Sequence, residues 1–137
     1  MPASRSLALL AVVAGFVSGC GSSGSNSATK FTGAQKDVAS AIEDFETAAR
    51  KSDEGQICTN LLASSLIDTL RSSSGRSCNS AVSDALDDAD TFNMTVKSVA
   101  VTGTTATAVV DSKEKSTDDT FKLVKEGGRW KIASLGG

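Results

Sequence analysis

The 137-residue chain contains no histidine and no tyrosine, a single proline, a single tryptophan and three cysteines. Without histidine, the side chain whose charge changes near neutral pH is missing, so any acid–base role falls to Asp or Glu. Ser64 and Ser65 accordingly have no histidine to activate them as nucleophiles. The cysteines form no CxxC pair, which excludes thioredoxin-like chemistry and, with no histidine to complete a ligand set, zinc as well. Lys and Arg number 14 against 16 acids, for a net charge of −2, and only Phe and one Trp could stack on bases. A basic stripe with interleaved aromatics is therefore missing, and nucleic acid is excluded as a partner. The densest acidic cluster, Asp84, Asp87, Asp88 and Asp90, lacks the glycine and terminal glutamate of an EF-hand loop and reads as a solvated helix end. No metal and no cofactor are expected.

What is present begins with an apolar run, Leu7 to Val17, preceded by Arg5. It is shorter than the roughly 20 residues needed to cross a bilayer, and has the length of a signal-peptide core. Val17, Ser18 and Gly19 then abut Cys20, an aliphatic residue and two small ones before a cysteine. This resembles the lipobox of bacterial lipoproteins, which implies cleavage after residue 19 and lipid on Cys20. An ordinary secretory signal cut near Gly19, or an uncleaved anchor, is the alternative. Two or more acyl chains hold a protein firmly where one does not. The expected location is thus the outer face of the cell membrane, with the membrane as a partner through Cys20. Residues 20–30, rich in Gly and Ser, read as a flexible tether, because such a segment cannot bury enough apolar surface to offset its ordering. The glycines are not a phosphate loop, since no Lys-Ser or Lys-Thr follows in Walker spacing. Residues 31–137 remain as one domain.

With Cys20 assigned to lipid, Cys58 and Cys78 are left as a pair in an oxidising compartment. One disulfide is expected, worth roughly 3 kcal/mol on the chain-entropy model; two buried thiols are the alternative. Around them the period is helical. Thr32 and Gln35 have the form of a capping box, and Val38, Ile42, Phe45 and Ala49 recur on one face of a helix reaching about Lys51. Asp44 lies beside that face with Glu43 and Glu46, a pattern that reads as a solvated flank. Asp53 is placed to cap a second helix, "SSLIDTLRS" forms a third, and Ser77 is placed to cap a fourth carrying Cys78, Val82, Ala85 and Leu86.

Beyond Asp90 the period shortens to two. Phe92, Met94 and Val96 alternate, and Val99 and Val101 follow out of phase, which predicts a bulge near Lys97 and Ser98. "TATAVVD" is a second strand, and "TFKLVKEGGRWKI" a hairpin turning at Gly127 and Gly128. Counting back from the turn pairs Glu126 with Arg129, Lys125 with Trp130 and Leu123 with Ile132. Helices followed by four antiparallel strands define an α+β fold, the helices covering one face of the sheet.

The long first helix, "DEGQICTNLL" with its cysteine, a second cysteine opening a later helix, and the closing "LVKEGGRWKI" resemble the nuclear transport factor 2-like superfamily. Within it the resemblance is to small actinobacterial lipoproteins of uncharacterised function. It implies N-terminal helices on a curved, cone-like four-stranded sheet, with an apolar cavity at the open end. It implies no reaction. Val38, Ile42, Phe45, Phe121, Leu123, Trp130 and Ile132 are the expected lining. The expected function is a non-catalytic binding or interaction module for a small apolar ligand or an envelope protein. An enzyme with a buried carboxylate and an accessory envelope subunit are the alternatives.

Overall fold

The computed structural model describes residues 27–89, 92–112 and 116–136. The expected signal segment, Cys20 and Asp90 lie outside them. A short 3-10 helix, Ser27–Lys30, leads into α1 (Gly33–Arg50), followed by α2 (Glu54–Gln56), a π-helical turn (Ile57–Leu61), α3 (Ser64–Ser74) and α4 (Cys78–Asp87). Strands β1 (Met94–Thr102), β2 (Thr105–Ser112), β3 (Asp119–Glu126) and β4 (Arg129–Leu135) form an antiparallel meander in chain order. The fold is α+β, four helices on an open curved sheet, as the period change predicts.

The local signals act largely where the sequence puts them. Asp53 accepts a hydrogen bond from Gln56 N, and Ser77 Oγ accepts from Ser80 N at 3.3 Å. The β1–β2 register shifts between Val96 and Ser98, and the last hairpin pairs Glu126 with Arg129, Lys125 with Trp130 and Leu123 with Ile132. Gly127 and Gly128, at φ 57° and 79°, make the two-residue turn that this register needs. A second bulge, between Lys122 and Leu123, carries no signal in the strand pattern. Cys58 and Cys78 are joined, tying the π-helical turn to the start of α4.

Two expectations are corrected. Thr32 caps α1 only through its backbone, and Gln35 Nε2 instead donates to Val99 O at 3.0 Å. A free strand edge is the stronger claimant for that amide. Residues 27–30, expected to belong to a flexible tether, form a 3-10 helix instead. Ser27 and Ala28 are buried, because Ser27 Oγ accepts from Val96 N at 3.1 Å and Ala28 N donates to Glu43 Oε1 at 2.7 Å.

Together these contacts close both edges of the sheet, which would otherwise present open ladders. Ser27 and Gln35 cover β1, and Glu46 accepts from Met94 N. On the other side Leu62 bridges Ile132, with Ala63 N donating to Ile132 O at 2.8 Å. The core lies between α1 and the sheet. Val38, Ile42, Phe45 and Ala49 meet Val96, Val99, Ala106, Ala108, Val110, Phe121, Leu123, Trp130 and Ile132 there.

Candidate functional site

On α1 the positions 37, 40, 41 and 44 fall on one face, following the i, i+3, i+4, i+7 rule. That face borders the buried stripe and carries the polar Asp37, Ser40 and Asp44 around the buried Ala41. Opposite stands the end of the β3–β4 hairpin, with Lys125, Gly128, Arg129 and Trp130. The floor is the π-helical segment, where Gln56, Asn60 and Leu61 complete a cleft of about 360 Å³. The π turn closes through Leu62 N to Ile57 O at 3.0 Å, and wide turns of this kind are frequent at functional sites. Asn60 Nδ2 donates to Gln56 Oε1 at 2.7 Å, leaving the remaining donor and acceptor of the pair for other partners.

Trp130 is the apolar wall. The residue is 7 % exposed, and Lys125 Nζ lies 5.8 Å from the ring centroid, within cation–π range. The buried indole Nε1 has no hydrogen-bond partner among the described residues. Asp44 faces this wall from α1. Desolvation, and then the neighbouring charge of Glu43, push its carboxyl above the ordinary aspartate range. The charges are sorted across the cleft, with carboxylates on α1 and cations on the hairpin.

The seven residues expected to line an apolar hollow, Val38, Ile42, Phe45, Phe121, Leu123, Trp130 and Ile132, are all brought together. They pack on one another as part of the core cluster. Trp130 alone of the seven also walls the cleft, whose remaining lining is mostly polar. Asp37, Ser40, Gln56, Asn60, Lys125 and Arg129 were not legible as site residues, being ordinary polar positions on amphipathic elements. The usable signal was the lone tryptophan beside a glycine turn. Asp44 is exposed, as its solvated-flank pattern predicts, and the cleft lies on that flank. Asp84, at the expected solvated helix end, pairs with Arg76. No group of three or more His, Cys, Asp or Glu side chains able to hold a metal is found among the described residues. None of the described helices is long and apolar enough to cross a membrane.

A second groove of about 340 Å³ lies across the strands, where Ala100, Thr102, Thr107, Lys122, Val124 and Ala133 offer few polar groups. It lacks the convergence of polar side chains that orients a ligand.

Comparison with protein families finds one match over residues 66–135, from α3 to the end of β4, to the family described as "Putative lumazine-binding", a domain of the nuclear transport factor 2-like fold class. Searches of curated proteins and of solved structures return no match. The matched region contains the hairpin wall of the cleft; the α1 wall and the floor lie before it.

Proposed function

The chain belongs to the "Putative lumazine-binding" family, and on that premise we propose that it is a non-catalytic ligand-binding module, held by lipid on Cys20 at the outer face of a bacterial, actinobacterial-type, cell membrane. The ligand is a small planar heterocycle of the lumazine kind, and its seat is the cleft between α1 and the β3–β4 hairpin. The observation that carries this reading is the lining. Five polar side chains, Asp37, Ser40, Asp44, Gln56 and Asn60, converge opposite the one tryptophan in a volume at the lower end of ligand pockets. A flat ring bearing carbonyls and N–H groups can lie on an aromatic wall and satisfy such groups at its edge. A fatty-acyl chain offers no partner to the groups it would cover, and each donor or acceptor buried without one costs about 1–3 kcal/mol. The small apolar ligand expected for a cone-like apolar cavity therefore fits this lining poorly.

Trp130 reports on the site directly, since no other tryptophan contributes. Titration with lumazine should quench its fluorescence saturably, and Asp44→Ala should weaken that binding about tenfold. A fatty-acid or isoprenoid panel should leave the signal unchanged. The opposite result, a response to lipids and none to lumazine, would return the ligand to the apolar core and end this reading.

A second reading, an enzyme using a carboxylate, is favoured by one observation: the raised carboxyl of Asp44 at the edge of the cleft. Mass spectrometry of the ligand after long incubation separates the two. Recovery of unchanged lumazine supports binding alone, and a product whose formation stops in Asp44→Asn supports catalysis.

A further inference from the structure

The N-terminal 3-10 helix does more than cover a strand edge. Ser27 Oγ accepts from Val96 N at 3.1 Å and donates to Glu43 Oε1 at 3.2 Å, while Ala28 N donates to the same carboxylate oxygen at 2.7 Å. Ser27 and Ala28 are each 4 % exposed. The entering chain is thus clasped between α1 and β1 before α1 begins. At about 100° per residue, Gln35, Ala39, Glu43 and Glu46 share one flank of α1. Asp37, Ser40, Ala41 and Asp44, which line the cleft, share the other, roughly 150° away around the helix. Clasp and cleft lie on opposite sides of the buried stripe.

We propose that this clasp sets which side of the domain meets the lipid surface: the β1-edge flank of α1 faces the bilayer and the cleft opens away from it. This rests on the reading of Cys20 as the lipid anchor. Residues 21–26 separate Cys20 from Ser27. Fully extended, that connection reaches at most about 25 Å. A domain of this size has a radius of gyration of about 13 Å, and so a half-circumference of roughly 50 Å. The connection is too short to pass around the domain and turn the cleft toward the membrane. Ligand accordingly arrives from the aqueous phase, in keeping with the polar lining of the cleft. Release of residues 27–32 would lengthen the connection to about 45 Å and remove most of that constraint.

The mature acylated protein, beginning at Cys20 and reconstituted into phosphatidylcholine/phosphatidylglycerol vesicles with brominated acyl chains, tests this through short-range quenching of tryptophan. Trp130 should be quenched at least threefold less than a tryptophan introduced by Lys30→Trp in a Trp130→Phe background. Glu43→Ala, or the milder Ser27→Ala, should raise the quenching of Trp130 while far-UV circular dichroism stays unchanged. Equal quenching at the two positions in acylated protein would overturn the orientation and leave the anchor standing. Protein that carries no acyl groups and does not float with the vesicles would overturn the anchor, and the orientation with it.

Discussion

Glu46 is the residue whose surroundings fit its chemistry least. It is 1 % exposed, with Oε1 3.5 Å from Arg50 Nη1 and Oε2 without a hydrogen-bond partner among the described residues. Burial raises its pKa above the ordinary glutamate range, and the Met94 amide and Arg50 offset this only in part. A carboxyl with a raised folded-state pKa binds more protons folded than unfolded between its two pKa values, so stability falls as pH rises through that window. Glu46→Gln removes this penalty and keeps an acceptor for the Met94 amide. Thermal melts should therefore show the variant more stable than the parent at pH 7, with the gap closing as pH falls toward 4.5. A gap that does not change with pH would mean that Glu46 is not charged and strained at neutrality. In the sequence Glu46 sits with Glu43 and Asp44 and reads as solvent-facing. Nothing in those three letters distinguishes a carboxylate that clasps the entering chain, one that borders a cleft and one that is buried against β1.

At the scale of elements, local chemistry predicted the starts of α2 and α4, the β1 bulge and the hairpin turn, because each depends on residues within four positions of one another. α1 lacks its expected side-chain cap, and α3 departs further. Its N-cap, Ala63, offers no side-chain acceptor, and the cap comes instead from the far end of β3. Glu126 Oε1 accepts from Ser64 N at 3.1 Å, and its Oε2 accepts from Ser64 Oγ at 3.0 Å. A carboxylate at a helix N-terminus satisfies free amides and complements the macrodipole. Glu126→Ala should cost about 1 kcal/mol, in the range of other lost caps. The loss should appear as faster amide exchange in the first turn of α3, with β3 and β4 unchanged. Exchange rising equally throughout the sheet would mean that the contact stabilises the hairpin and not the helix. The same strand end thus braces α3 and, one residue earlier, places Lys125 beside Trp130 at the cleft.

For the whole molecule, the proposed arrangement separates anchoring from folding. Cys20 lies seven positions before the clasp, and the core is built from residues 28 onward. Cys20→Ala should leave the melting temperature of the domain unchanged within a degree and shift the protein from the membrane to the soluble fraction. Retention on membranes through a high-salt wash would show that something other than acylation holds it. The disulfide acts at the other end of the helical layer, joining the segment that floors the cleft to α4, so the anchor and the staple constrain different parts of the fold.

The sequence by itself determined the α+β order, the helix face that packs, the register of the last hairpin and the pairing of Cys58 with Cys78. These follow from periodicity, turn stereochemistry and cysteine parity, all of which act along the chain. Only the tertiary structure decided what the two polar flanks of α1 do. Both flanks border the same apolar stripe and both carry acids. One becomes the clasp because the free edge of β1, distant in the chain, offers an N–H and a C=O that need partners. The other becomes a cleft wall because the glycine turn brings Trp130 and its neighbouring cations across from it. The difference between the flanks is set by which unpaired groups each one meets, and helical periodicity alone leaves the two alike.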